Sequence, residues 1–217
     1  MDTTETVNKI TCELVYRRDG KKCWLCNIHS PIRIVHQIND SEAAFPSFYM
    51  YKKNGTIPSF VDNPSHPDNL VPLCYNCHAG FDITFPDWIL IPDEATLRKY
   101  IEHEMMDYEE RLLVSQTSRP PPRSLPLLNR SEILYHPLII TQAFTNYSRG
   151  AWPKGWMGEP TTAIHRAARH GLFESTPVRP ISLGRRKWQT GVPEVFQLLV
   201  GELIRLWARK PPKRKKV

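Results

Sequence analysis

Two CxxC pairs, Cys23/Cys26 and Cys74/Cys77, are the residues of this 217-residue chain best suited to chemistry. Two intervening residues let one tight turn present two sulfurs to a single ion, and zinc takes four thiolates tetrahedrally. The spacing therefore predicts one structural zinc built from both pairs. Buried free thiols are the plainer alternative. A thioredoxin-like redox pair fits poorly, because no βαβ pattern surrounds either motif. Cys12, the fifth cysteine, reads as an ordinary small apolar residue. A site closed by four thiolates has no open position for a substrate, so any catalysis must come from other side chains. Three polar residues interleave with the cysteines: His36 after the first pair, Asn69 before the second, and His78 directly after Cys77.

The elements that must position these residues are short. "PIRIVHQI" (Pro31 to Ile38) is rich in β-branched residues and reads as a strand carrying His36. "NLVPLC" and "PDWILIP" are two more extended runs, and His78 stands where a helix would start. From about Asn39 to Pro67, Ser, Pro, Asn and Gly punctuate an inserted loop with room for a short helix. Asp93 offers an N-cap to a helix over about Asp93 to Val114. Its apolar face is expected to be Leu97, Ile101, Met105, Tyr108 and Leu112. "SQTSRPPPRSLPLLNR" (Ser115 to Arg130) reads as a Pro-rich linker. "TTAIHRAARHG" reads as a short helix capped by its threonines and stopped by Gly171. A largely apolar helix from about Pro193 to Arg209 should pack on the front of the chain or on a partner chain, with self-association as one outcome. His66, His103, His165 and His170 read as structural or surface residues.

The hydrophobic fraction of 41% and charged fraction of 24% are those of a folded, water-soluble domain. The first ten residues look polar and loosely ordered, with neither the basic nor the apolar region of a secretory signal. No run reaches the roughly 18 apolar residues of a membrane helix. An intracellular protein with reduced cysteines and no membrane partner is the expectation. The net charge of +7 is unevenly spread. Ten Lys or Arg and two Glu lie from Arg185 to Val217, leaving nineteen basic and twenty acidic residues for the rest. The closing cluster Lys213, Arg214, Lys215 and Lys216 follows two prolines. It resembles a nuclear-localisation signal read by an import receptor, and equally suits a solubilising tail or a DNA clamp. A nuclear location is expected, with the cytoplasm as the alternative. "GRRKW" (Gly184 to Trp188) is a smaller basic group able to contact nucleic acid.

The order CxxC, strand with His, then Asn-Leu-x-x-Leu-Cys-x-x-Cys-His resembles the HNH endonucleases of the zinc-stapled branch. The matching residues are Cys23, Cys26, His36, Asn69, Leu70, Leu73, Cys74, Cys77 and His78, within about residues 16 to 85. Up to about Arg111 the chain also looks like uncharacterised HNH-domain proteins of fungi. The resemblance implies an α+β fold: a ββα-metal HNH domain with a four-cysteine zinc staple. A helix, the Pro-rich linker and a mostly helical or irregular C-terminal region would follow. The implied boundaries are 11–114 for the nuclease-like domain with its following helix, 115–130 for the linker, 131–209 for the C-terminal region and 210–217 for the basic tail. It also implies a metal-dependent endonuclease acting on DNA. His36 would be the general base, Asn69 would tie the hairpin and orient His36, and His78 would bind a catalytic divalent ion such as Mg²⁺. Asp82, four residues beyond His78, would add a carboxylate to that ion. Many members carry Asp or His immediately before the base, where this chain has Val35, so Asp82, Asp40 or another residue would have to supply the ligand. The alternatives are a catalytically weak HNH-fold zinc module that binds nucleic acid or protein, and a zinc-stabilised protein-interaction module that docks through the C-terminal helix.

Overall fold

The structure is a computed structural model that describes residues 7–38, 48–82, 86–139, 153–170 and 194–210. Asp40, "GRRKW" and the basic tail Lys213, Arg214, Lys215 and Lys216 lie outside the described residues. The architecture is α+β, with two small antiparallel sheets among the described residues and helices packed around them. None of its helices is long and apolar enough to cross a membrane, among the described residues.

Helix α1 (Lys9–Asp19) begins inside the stretch expected to be loose. Asn8 caps it by accepting from the Thr11 amide, and Gly20 ends it in the left-handed region at φ 83°. Only Thr11 and Val15 of this helix are buried, so apolar periodicity had little to register. Arg18 ties α1 to the strand region by donating to the Pro67 and Leu70 carbonyls, each at 2.7 Å.

Strand β1 (Ile32–His36) pairs antiparallel with β2 (Leu70–Cys74), His36 opposite Leu70 and Ile32 opposite Cys74. Between them lies the short helix α2 (Phe48–Lys53). Helix α3 (Tyr75–Phe81) follows β2 without a gap and packs on both strands. The second sheet has the order β3 (Trp88–Pro92), β4 (Leu134–Ile139), β5 (Lys154–Gly155). Strand β3 is buried at every position. Its alternation sends Ile89 and Ile91 into one apolar cluster and Trp88 and Leu90 into another. A strand covered on both faces loses the alternation of polar and apolar residues, which is why "WILIP" reads as one apolar run.

The Ile89/Ile91 cluster is closed by α4 (Glu94–Val114), α5 (Pro160–Arg169) and α6 (Glu194–Trp207). Leu199, Val200, Leu203 and Trp207 of α6 pack there against Leu97, Tyr100 and Ile101 of α4. Asp93 caps α4 through the Thr96 amide, as its position suggested. The expected apolar face of α4 needs correction in its second half. Met105 and Leu112 are 44% and 46% exposed, while Glu104, Asp107 and Arg111 are buried. Arg111 reaches Asp107 at 2.6 Å and Glu104 at 3.3 Å, and Arg123 meets Glu104 at 2.9 Å. Burial raises the Glu104 carboxyl, and the two guanidinium groups oppose that shift. Ser124 donates to Asp107 at 2.6 Å, so the extended segment after α4 lies along this charged face. The start of α5 also differs from expectation. Glu159, not a threonine, caps it by accepting from the Thr161 amide, with Pro160 in the first turn.

Candidate metal centre and the adjoining histidine site

The first CxxC sits on a knuckle before β1, closed by Cys23 N–H to Ile28 O and Asn27 N–H to Cys23 O, both 2.9 Å. Asn27 takes φ 61°, a left-handed position that its short polar side chain tolerates. The second CxxC runs from the end of β2 into α3, where Cys74 precedes the helix and Cys77 lies within it. Pairing Ile32 with Cys74 brings the knuckle against this corner, and Trp24 N–H donates to Pro72 O at 2.8 Å. The four sulfurs of Cys23, Cys26, Cys74 and Cys77 all lie within 4.8 Å of one another. Cys26 Sγ and Cys74 Sγ are 3.7 Å apart. Tetrahedral zinc with Zn–S near ~2.3 Å needs sulfurs about 3.8 Å apart. This donor set can hold a structural zinc. The thiols share their protons unevenly. A hydrogen bond from Cys77 draws Cys23 down to about 5, and Cys77 is raised. Burial lifts Cys26 to about 11.

Lys154 and Trp24 form a clasp over the knuckle. Lys154 donates to Leu25 O at 3.2 Å with its ammonium 4.6 Å from the Trp24 ring centre, and Trp24 Nε1 donates to Gly155 O at 3.0 Å. Strand β5 is thereby fastened to the cysteine corner. On the other side, Trp88 Nε1 donates to Cys77 O at 3.0 Å.

His36 ends β1, and Asn69 sits just before β2 in a short 3-10 turn, Pro67–Asn69. Asn69 is fully buried and every polar group of its side chain is used. Its Oδ1 accepts from Ile38 N–H at 3.0 Å. Its Nδ2 donates to Ile38 O at 2.8 Å and Pro64 O at 2.7 Å. Its carbonyl accepts from Gln37 N–H at 2.7 Å. Asn69 thus grips the two residues after His36, and acts on the histidine through the backbone. His36 Nε2 lies 3.4 Å from Ser65 Oγ. Val35, at the position before His36, is buried in the cluster around the cysteines, opposite Val71.

His78 and Asp82 face one another at 3.5 Å (Nε2 to Oδ2), although α3 ends at Phe81 and Asp82 is its C-cap. Burial would raise the Asp82 carboxyl. The His78 hydrogen bond and the charges of Arg166, His78 and His36 outweigh it and hold the group below its usual range. Both histidines therefore stand in the electrostatic neighbourhood of one carboxylate. Among the described residues, the four cysteines are the only group of three or more donors within 4.8 Å, so His36, His78 and Asp82 do not close to that separation.

Arg166 of α5 belongs to no functional motif of the sequence, yet it stands at this corner. Its Nη1 donates to Gln37 O at 3.1 Å and His36 O at 3.4 Å, and its Nη2 donates to Phe81 O. The guanidinium lies 3.6 Å from the Phe81 ring centre and 3.8 Å from Asp82 Oδ1. One buried cation therefore joins the end of β1 to the end of α3. The available signal was a charged residue within a run of Thr, Ala and Ile, since every residue from Pro160 to Ala167 is buried. Beside it, the side-chain amide of Gln37 is buried with neither Nε2 nor Oε1 hydrogen-bonded.

Compared with protein-family models, curated proteins and solved structures, the chain finds no match.

Proposed function

We propose that the chain is a metal-dependent endonuclease of the HNH type that hydrolyses DNA phosphodiester bonds. The observation that carries the reading is the His78–Asp82 pair at the end of α3, packed on a hairpin that Asn69 grips immediately after His36. His36 takes a proton from a water whose oxygen forms the new bond to phosphorus. The bond from phosphorus to one ester oxygen breaks, and the leaving oxygen is protonated from solvent. His78 and Asp82 are the residues that would hold a hard divalent cation, since donors 3.5 Å apart are close to the edge of an octahedral shell, ~3 Å. Such a cation supplies positive charge to the scissile phosphate and the leaving oxygen. Asn69 and Arg166 position the two halves of the site. Cys23, Cys26, Cys74 and Cys77 would hold a structural zinc that ties the first knuckle to the β2–α3 corner, and a site closed by four thiolates would take no part in the chemistry. The basic C-terminal sequence suits a nuclear protein that meets DNA in place.

Two observations favour a second reading, an HNH-like zinc module that binds without cutting. Val35 is packed into the core where a ligand would help, and Arg166 stands 3.8 Å from the carboxylate a metal would need. Supercoiled-plasmid cleavage with Mg²⁺, Mn²⁺ or Ni²⁺ separates the two. Nuclease action predicts nicking by the wild type and its loss in His36→Ala, with zinc content the same in both. No cleavage by the wild type with any of the three ions sinks the nuclease reading.

A further inference from the structure

A trough of about 920 Å³ runs between the end of α2, the Pro-rich segment after α4 and the end of α6. Among the described residues, seven Lys or Arg line it against one carboxylate, Glu159. Three of the cations are already neutralised: Arg111 and Arg123 by Glu104 and Asp107, and Arg130 by Asp68 and Glu159. The other four, Lys52, Lys53, Arg209 and Lys210, form no ion pair with a carboxylate of the described residues, although Lys52 Nζ donates to Asp62 O at 3.1 Å and the Arg209 guanidinium lies 5.3 Å from the Tyr108 ring centre. They are gathered at one end because Arg123 donates to both Asn54 O (2.8 Å) and Trp207 O (3.1 Å), which joins the C-terminal ends of α2 and α6. Prolines 121, 122 and 126 contribute to the wall, which is apolar there and lacks amide donors. Phe60 also lines the trough, half-exposed, with the Arg130 guanidinium 5.0 Å from its ring centre.

From this we infer that the trough is a binding site for one strand of nucleic acid, its phosphates on the Lys52/Lys53/Arg209/Lys210 cluster and a base on Phe60. A concave channel that combines cations lacking carboxylate partners with a half-exposed ring matches a single strand, since every base has a face to stack and every phosphate a charge to neutralise. A rigid duplex presents its phosphates on a convex surface and hides its base faces. The volume lies at the top of the range for small-molecule pockets, but the excess of cations suits a polyanion better than a small apolar ligand. The chain continues from Lys210 into Lys213, Arg214, Lys215 and Lys216, which extends the positive charge in sequence. From Phe60, five residues lead to Ser65, whose hydroxyl is 3.4 Å from His36 Nε2. That is at most ~17 Å of chain. The site goes beyond cleavage, because binding here does not require His36 to act.

The test is fluorescence anisotropy with a labelled oligothymidylate of about twelve nucleotides. It uses the full, zinc-loaded chain with no other divalent ion, so the basic tail is common to every protein. The wild type should bind, with an affinity that falls steeply as salt rises. Lys53→Glu/Lys210→Glu should weaken binding at least tenfold and flatten the log–log salt slope by about 1.4, two phosphate contacts at ~0.7 each. Phe60→Ala should weaken it about fivefold or more, with a smaller change in slope. Both changes are at exposed side chains, and unchanged thermal melting confirms the fold. Wild-type-like binding by the double variant overturns the site, as does an absence of binding by the wild type. A duplex of equal length that competes as well as the single strand overturns the assignment to one strand. Plasmid cleavage is read separately, so either proposal can fail while the other stands.

Discussion

Replacing Arg166 by Met tests whether this side chain stitches the two halves of the histidine site together. Met keeps much of the volume and removes the charge. Two effects oppose each other. Burial pulls the Arg166 pKa from 12.5 to about 10, so holding the cation in place costs roughly 3 kcal/mol. That cost disappears in the variant. Against it stand the bonds to Gln37 O and Phe81 O, at ~1.5–3 kcal/mol each for a charged donor, and the stacking on Phe81, at ~1–2 kcal/mol. The losses total about 4–8 kcal/mol, so the losses win and the net destabilisation is roughly 1–5 kcal/mol, centred near 3. With an m-value of about 2 kcal/mol/M, the urea midpoint of the full chain should fall by ~1.5 M. Arg166→Lys restores the charge and one carbonyl contact, and should recover about half of the loss. A Met variant as stable as the wild type, or more stable, would refute the reasoning, because desolvation would then dominate and Arg166 would hold nothing together.

Zinc removal gives a second outcome. Elemental analysis should find one zinc per chain, lost in Cys74→Ser. Chelation should lower the melting temperature by more than ~10 °C, as expected when a site that closes a small sheet opens. A chain free of zinc with unchanged melting would count against the cluster's structural role. The buried His165 ring is stacked on Tyr51 at 3.8 Å and its Nε2 lies 2.9 Å from Thr56 Oγ1. Burial depresses its pKa to about 3. Its stabilising contribution is therefore complete above the unfolded value near 6.5 and is lost as pH falls from there toward 3. Stability at pH 5 should be about 2 kcal/mol lower than at pH 8 through this group, and His165→Phe should remove that part of the slope in urea melts at the two pH values. Asn69→Ala leaves Ile38 N–H and the Ile38 and Pro64 carbonyls without their partner, a cost of ~2–4 kcal/mol in the same melts. Asn69→Asp should do no better, because it sets a carboxylate oxygen against two carbonyls.

The sequence by itself determined what depends on neighbours along the chain. A CxxC pair presents two sulfurs through one local turn, and the β-branched run before His36 favours an extended backbone, as in β1. Asp93 caps α4 because the group it bonds is only three residues on. For Asn69, a tie to the hairpin was what the HNH resemblance implied, and its side chain bonds the residue two beyond His36. The tertiary structure alone decided which distant groups meet. Counting apolar residues along α4 favoured Met105 and Leu112, but the buried positions are Glu104, Asp107 and Arg111, made tolerable by Arg123 and Ser124 from the segment that follows. Arg166 reaches the carbonyl after His36 across 129 positions and that of Phe81 across 85, and no periodicity encodes either contact. The cationic end of the trough exists because one guanidinium, Arg123, joins two helix ends 69 and 84 residues away from it. Burying a charge is unfavourable until its partners arrive, so a single stretch of sequence reads such residues as solvent-facing, and only packing shows where they are enclosed.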